Sequence, residues 1–165
     1  MDSPGRTFVL RPAREEDQPG LRAIAAEVIA AGEMYAYTTV DGVMGYWNDP
    51  RGSCWVAEVQ GEILGTYVIK PNQPGRGAHV ANAGYMVARA AQGRGIGRAM
   101  GEHSLEVGRD LGFAAIIYNM VVATNADAVH LWKELGFKIV GTLPEVFERP
   151  SGERVDAYVM HRSLE

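Results

Sequence analysis

A nine-residue stretch from Gln92 to Met100, QGRGIGRAM, holds three glycines and two arginines immediately before a helical pattern. A helix that begins near Gly95 presents unpaired amide groups and a partial positive charge at its N-terminus. Glycines lack Cβ atoms, so they let a phosphate approach that backbone closely. Arg89, Arg94 and Arg98 add cations to a chain whose formal net charge is −4. The stretch predicts one polyphosphate site, with tight packing at a helix start as the alternative.

Two well-known glycine loops do not match this stretch. A P-loop needs the pattern GxxxxGK[ST], and the stretch contains no lysine. A dinucleotide-binding fingerprint needs GxGxxG, and Met100 stands where its third glycine should be. Residues 88–91 also separate the stretch from the preceding strand pattern, whereas a dinucleotide loop leads directly from strand to helix. Both loop types are therefore set aside.

Hydrophobic periodicity places the loop within one α/β domain over residues 1–165. The patterns give the order β-α-(α)-β-β-β-α-β-α-β-β. Segment 33–50 carries many aromatic residues and predicts one short helix among loops. The apolar run 113–122 predicts a buried central strand, and 125–136 predicts a capped helix. This order predicts a mixed sheet with helices on its faces.

Composition and charge exclude several classes of protein. The chain is 47% hydrophobic and 22% charged, as in ordinary globular domains. No apolar run approaches the roughly 20 residues of a membrane span, and the N-terminus lacks the apolar core of a signal peptide. The negative net charge argues against a general nucleic-acid binder. The single cysteine, Cys54, cannot form an internal disulfide, which suits a reducing cytoplasm. Taken together, these features lead us to expect a cytoplasmic protein with neither membrane nor nucleic-acid partners.

Two motifs resemble those of the GNAT superfamily of N-acetyltransferases. A strand ending in Tyr85-Met86-Val87, followed by Gln92-Gly93-Arg94-Gly95-Ile96-Gly97 and a helix, resembles the signature (Q/R)xxGx(G/A). Asn125, Ala128, Leu131-Trp132 and Leu135-Gly136-Phe137 resemble the second motif, Asn…Ala…Tyr…Gly-Phe. The element order agrees over nearly the whole chain. The resemblance implies a mostly antiparallel sheet of about six or seven strands with about four helices, in which strands 4 and 5 splay apart.

The resemblance also implies acetyl-CoA as the cosubstrate. The loop amides would hold its diphosphate, with Arg98 beside them; these loop residues are Gln92, Gly93, Arg94, Gly95, Ile96 and Gly97. The edge of the strand would pair with the pantetheine arm by strand addition, through Tyr85, Met86 and Val87. Asn125 would lie near the same arm, with a plain N-cap role as the alternative.

Acetyl transfer from a thioester to an amine makes three chemical demands. The amine must be neutral, although an α-amino group is mostly protonated at pH 7. The oxyanion needs donors, which the backbone near Met86 or Val87 would supply. The departing thiolate benefits from an acid. Many relatives use a tyrosine of the second motif, where this chain has Trp132, and we expect Tyr85 and Tyr118 to point into the core. The thiolate would then leave unassisted or through water.

Asn82 and Asn119 stand inside two apolar strand patterns, where an unpaired amide is costly to bury. Both strands are expected to end at the same opening, so we predict that the two amides act in catalysis by orienting the substrate or polarising the thioester. The alternative is that each satisfies neighbouring backbone. They also match, more loosely, the substrate-site asparagines of a GNAT branch acting on imino acids such as azetidine-2-carboxylate.

Aromatic residues predict the walls of an acceptor site. Tyr35 and Tyr37 lie in the aromatic segment, and Phe147 is exposed by pattern between the two closing strands. Such walls indicate a small amine, although they would also suit a homodimer contact. The four histidines lack metal-ligand spacing and have no cysteine partner, so no metal is expected. We predict a small-molecule N-acetyltransferase; the alternatives are a protein N-terminal or lysine acetyltransferase and a non-catalytic acyl-CoA sensor.

Overall fold

Seven strands and four α-helices make up residues 7–165, the part of the chain that the computed structural model describes. Residues 1–6, which the predicted single domain also included, lie outside that part. The strands are β1 (Val9–Pro12), β2 (Ser53–Val59), β3 (Glu62–Pro71), β4 (Val80–Val87), β5 (Ala115–Val122), β6 (Lys138–Glu148) and β7 (Arg154–Ser163). The helices are α1 (Gln18–Ala31), α2 (Val40–Trp47), α3 (Ile96–Asp110) and α4 (Ala126–Glu134). The predicted mixed α/β order is confirmed.

The strands form one sheet in the order β1-β2-β3-β4-β5-β7-β6. Neighbouring strands are antiparallel except β4 and β5, which run parallel. Only residues 80–81 of β4 pair with residues 115–116 of β5, although both strands continue for several residues. The predicted splaying of strands 4 and 5 is confirmed. We call the space between residues 82–87 of β4 and 117–122 of β5 the strand gap.

Helices cover the sheet on both faces. Helices α1 and α2 pack on one face, where Leu21 and Trp47 join a buried cluster with Met86. Helices α3 and α4 cover the other face, where Met100 and Trp132 pack with Tyr85. Side chains alternate along a strand, so even-numbered residues of β4 point to the α1–α2 face and odd-numbered ones to the α3–α4 face. The strand gap therefore opens between two packed layers.

Capping residues fix the ends of the helices that border the strand gap. The Thr39 hydroxyl accepts from the Gly42 amide at 3.1 Å where α2 begins. The Asn125 side chain accepts from the Ala128 amide at 3.3 Å where α4 begins. Gly95 precedes α3 with a φ of 79°, a left-handed conformation that favours glycine. The starts of α3 and α4 agree with the sequence patterns, whereas the start of α2 at Thr39 was not predicted.

Candidate active site

The peptide groups of β4 alternate between β3 and the strand gap. The amide of Ala88 donates to the carbonyl of Leu64 on β3 at 2.8 Å. In an antiparallel ladder every second residue makes such bonds, so the peptide groups of Met86 also face β3. Those of Tyr85 and Val87 therefore face the strand gap. Met86, which we expected to help bind the cosubstrate, is excluded from that edge by the alternation, and its side chain lies in the core.

The Tyr35 hydroxyl is bound to the strand gap edge. It donates to the Tyr85 carbonyl and accepts from the Tyr85 amide, both at 2.8 Å. Its ring packs edge-on against Trp47, with the ring centroids 6.0 Å apart. Tyr35 was predicted as an acceptor wall, but in the structure its hydroxyl occupies backbone groups at the edge predicted for the cosubstrate. This contact joins residues 50 positions apart, so no local sequence pattern signals it.

Asn82 bridges the two strands where their backbone pairing ends. Its side-chain amide donates to the Ile117 carbonyl on β5 at 2.9 Å, and its oxygen accepts from the Tyr46 hydroxyl. The Lys70 ammonium lies 3.7 Å from the centre of the Tyr46 ring and 3.2 Å from an Asp49 carboxylate oxygen. Tyr46 belongs to the aromatic segment that was expected to recognise the acceptor, whereas Lys70 was not predicted as a site residue. The half-buried amide of Asn82 is thus paired with its neighbours.

Asn119 does not meet Asn82 in the structure. It is exposed, and its side-chain amide donates to the Asn72 side chain at 2.8 Å. The expected burial of Asn119 inside an apolar strand was wrong: Asn119 lies where β5 no longer pairs with β4 and shifts register against β7. The two asparagines therefore belong to separate hydrogen-bonded pairs.

A chain of hydroxyl groups closes the α3–α4 side of the strand gap. The Tyr118 hydroxyl lies 2.9 Å from that of Tyr85, which lies 2.6 Å from that of Ser104. Ser104 donates to the Gly101 carbonyl at 2.7 Å. A carbonyl only accepts, so the proton of Ser104 points to Gly101, that of Tyr85 to Ser104 and that of Tyr118 to Tyr85. As predicted, both phenols point into the interior.

These phenols are poor acids near neutral pH. Burial raises the pKa of Tyr85 to about 12. Burial, followed by the charge and hydrogen bond of Tyr85, raises the pKa of Tyr118 well above 10. Trp132, at the position of the family's tyrosine, is buried, with its ring 4.7 Å from that of Tyr85 and 4.8 Å from that of Tyr118. The expectation that Trp132 is a core residue agrees with this packing.

The glycine-rich loop leaves open space at the start of α3. Gly93 and Gly95 have φ angles of 77° and 79°, and a Cβ atom built on either would meet nothing within 4 Å. The first helical hydrogen bond runs from the Ala99 amide to the Gly95 carbonyl at 3.0 Å. The amides before Ala99 therefore lack acceptors within the helix. Arg94, Gly95 and Arg98 line an adjacent groove of about 240 Å³, which the Glu102 carboxylate also borders. This arrangement suits an anion, and Gln92, Ile96 and Gly97 complete the loop.

Two predicted cosubstrate residues have partners within the protein. Arg98 pairs with Glu134 on α4 and lies 4.0 Å from Glu102, so its charge is partly balanced. Asn125 caps α4, which agrees with its alternative role. Of the loop cations, Arg94 is exposed beside the open glycines. The positive charge at the loop is therefore smaller than the sequence suggests.

The predicted acceptor walls are only partly present. Tyr37 is 40% exposed, with its ring 6.3 Å from that of Tyr46. Phe147 is buried with Val122 and Val155, so its predicted exposure was wrong. The prediction placed Phe147 in the connection between the closing strands, whereas β6 continues to Glu148 and Phe147 pairs there with Val155 of β7.

The segment after α1 contacts the segment between β6 and β7. Glu33 pairs with Arg149 at 2.9 Å. A Cβ atom on Gly32 would lie 2.7 Å from a ring carbon of Pro150, so the Gly32 backbone lies close against the proline ring. These contacts close one side of the α1–α2 face near the strand gap.

Within residues 7–165, no group of three or more histidine, cysteine, aspartate or glutamate side chains is arranged to hold a metal ion. Among the helices of that same part, none combines the length and apolar character needed to cross a membrane.

Comparisons with known proteins agree with this geometry. N-acetyltransferase aca1 of Schizosaccharomyces pombe is 36% identical over 59% of this chain and 47% of its own length. L-amino acid N-acetyltransferase AaaT of Escherichia coli is 34% identical over 65% of this chain and 65% of its own length. The chain thus spans less than two thirds of the length of each of these curated relatives. A GCN5-related N-acetyltransferase structure from Kribbella flavida matches with a TM-score of 0.88 and 41% identity, covering 95% of this chain and 98% of that one. The model of the acetyltransferase (GNAT) family matches residues 15–137, more than half of the chain. The chain therefore belongs to the GNAT family of acetyltransferases.

Proposed function

We propose that the protein is an acetyl-CoA-dependent N-acetyltransferase that acetylates the amine of a small molecule by direct attack in a ternary complex. One observation carries the proposal: the open glycine loop at the start of α3 follows a strand edge with peptide groups directed into the strand gap. Acetyl-CoA joins a diphosphate to an extended amide arm that ends in a thioester. Its diphosphate fits the loop, and its arm fits the edge of β4.

The transfer itself needs donors at the thioester carbonyl. The amine nitrogen attacks the carbonyl carbon, the carbon–sulfur bond breaks, and the thiolate leaves with the electron pair while the amine proton passes to water. The amides of Tyr85 and Val87, which face the strand gap, are suited to stabilise the developing negative charge on the oxygen. A thiolate near the pKa of a free thiol, about 8.5, is a tolerable leaving group without an acid.

The acceptor side favours a small molecule. The contacts of Glu33 with Arg149 and of Gly32 with Pro150 narrow the α1–α2 face near the strand gap, which disfavours a long peptide. Lys70, opposite Asn82 on the neighbouring strand, adds a cation that Asp49 partly balances. A cation beside an amide suits an amino or imino acid, whose carboxylate needs a partner. AaaT, by its name, acts on L-amino acids, which supports this class.

A panel of amines with acetyl-CoA tests the proposal through release of free thiol. The panel contains amino acids, proline and azetidine-2-carboxylate, polyamines and peptides with a free N-terminus or lysine. Each active compound is paired with its N-acetylated form, which lacks a reactive amine and should release no thiol. We expect turnover with a small amine. Turnover only with peptides would replace the proposal by a protein acetyltransferase, and acetyl-CoA binding without turnover would favour a sensor.

A further inference from the structure

The Tyr35 hydroxyl uses both backbone groups with which Tyr85 faces the strand gap. A phenol has one proton to donate and lone pairs to accept, so a single hydroxyl satisfies the amide and the carbonyl together. Unpaired peptide groups at a strand edge otherwise require another strand, a ligand or water. Tyr35 therefore substitutes, at one position, for a partner along the edge of β4.

Tyr35 keeps its proton throughout the range in which enzymes work. Burial raises the pKa of its phenol well above the ordinary value, and the hydrogen bond with Tyr85 opposes this only in part. The hydroxyl therefore remains neutral and continues to donate to the carbonyl. A base role for Tyr35 is excluded by the same argument, because it would require the phenolate.

The same side chain lies on the α1–α2 face beside the strand gap, where the proposed function places the acceptor; we call this region the acceptor side. Tyr35 lies between α1 and α2, in the segment where Glu33 pairs with Arg149. Its ring contacts Trp47, which is fully packed in the core. When the hydroxyl moves away from β4, the Tyr35 ring moves with it and changes its contact with Trp47 on the acceptor side.

We propose that Tyr35 is a positioning residue that occupies the place of the thioester carbonyl until acetyl-CoA displaces it, so that the acceptor side takes its final shape only after acetyl-CoA has bound. This inference rests on the proposed function, since it assigns the Tyr85 amide to the thioester carbonyl. One N–H cannot serve the phenol and the thioester at full strength together. Displacement costs the hydrogen bonds of the hydroxyl, and this cost lowers the affinity for acetyl-CoA.

Tyr35→Phe removes the hydroxyl and retains the ring that packs on Trp47. Acetyl-CoA then has no hydroxyl to displace, and we expect its Kd to fall by about two- to tenfold, the range for a typical net hydrogen bond. Tyr37→Phe is the matched control, because it makes the same change two positions along and its hydroxyl makes no hydrogen bond to β4 within residues 7–165. Its Kd should equal that of the wild type.

A fragment of the cosubstrate separates the strand gap from the loop. 3′-Phosphoadenosine 5′-diphosphate carries the diphosphate and lacks the pantetheine and the thioester, so its Kd should be the same in all three proteins. Calorimetric titration of each protein with both ligands supplies the data. An unchanged or higher Kd for acetyl-CoA in Tyr35→Phe would overturn the inference, while a wild-type protein that binds neither ligand would instead refute the assignment of the cosubstrate.

Discussion

Gly97→Ala separates the stability of α3 from the function assigned to the loop before it. Gly97 is the second residue of α3, and a Cβ atom built there would meet only a Val87 methyl, at 4.0 Å. That distance is an ordinary van der Waals contact, so the protein accepts the methyl group. Alanine is favoured over glycine in a helix by about 0.5–1 kcal/mol. We expect a gain in melting temperature of about 1–4 °C for a chain of this size.

The same methyl group should oppose the cosubstrate. If the amides at the start of α3 hold a diphosphate, the phosphate oxygens must come as close to the backbone as glycine allows. A methyl group in that space increases the distance and removes hydrogen bonds to a charged partner. The loss of one such bond is about 1.5–3 kcal/mol, or roughly a ten- to hundredfold rise in the Kd for coenzyme A. Folding and binding thus change in opposite directions.

Gly45→Ala is the matched control for this experiment. Gly45 lies within α2, is exposed, and has no atom within 4 Å of an added Cβ. It should show a similar thermal gain with no change in affinity. Thermal unfolding and calorimetric titration with coenzyme A measure the two effects. A Kd for Gly97→Ala within twofold of the wild type would refute the assignment of the loop, and a lower melting temperature would refute the account of its packing.

Four further variants test separate features. Asn82→Ala should lower kcat more than it raises the Kd for coenzyme A, because it removes the bridge across the strand gap. Asn119→Ala should change the free energy of unfolding by less than about 0.5 kcal/mol. A larger effect on Kd than on kcat for Asn82→Ala in steady-state kinetics and titration, or a larger loss of stability for Asn119→Ala in urea unfolding, would contradict this. Tyr118→Phe should keep the wild-type kcat, since its proton points away from the strand gap, and a hundredfold loss would identify it as the acid. Asp17→Asn should lower stability by about 1.5–3 kcal/mol at pH 7, the value of a hydrogen bond to a charged group, because Arg11 loses Asp17 but keeps Glu58 as a partner. The Arg11 guanidinium lowers the pKa of Asp17 in the folded protein. The stabilisation by Asp17 is therefore fully present above the pKa of the unfolded state and is lost as the pH falls through the pKa of the folded state. Asp17→Asn should flatten the acid side of the profile of unfolding free energy against pH.

Periodic patterns predicted the elements because each depends on neighbours within a few positions. The short helix in segment 33–50 and the strand over 113–122 follow from local spacing and turn residues, and both are present as α2 and β5. The GNAT resemblance placed the splayed strands correctly, because its two motifs directly follow the two strands that separate, β4 and β5.

Predictions about single side chains failed where the alternation of a strand is interrupted. Phe147 and Asn119 both lie near register shifts, and Phe147 belongs to β6 although the sequence placed it in the connection between the closing strands. The pairing of Arg98 with Glu134 and that of Tyr35 with Tyr85 join residues 36 and 50 positions apart. Such contacts depend on how helices and loops pack in three dimensions, which no local pattern in the sequence encodes.

The hydroxyl chain on the α3–α4 side bears on how the thiolate leaves. Because every proton in the chain points towards Gly101, the oxygen of Tyr118 can accept a hydrogen bond but has no proton free to donate. Donation to sulfur would require the whole chain to reverse and would lose the hydrogen bond from Ser104 to the Gly101 carbonyl, at a net cost of about 0.5–1.5 kcal/mol, since that carbonyl lies within α3 and keeps its helical bond. Trp132 adds no usable acid, since an indole N–H donates a hydrogen bond without giving up its proton. Under the proposed function, we therefore expect stabilisation of charge on oxygen by the amides of β4 to contribute more to catalysis than proton transfer to sulfur.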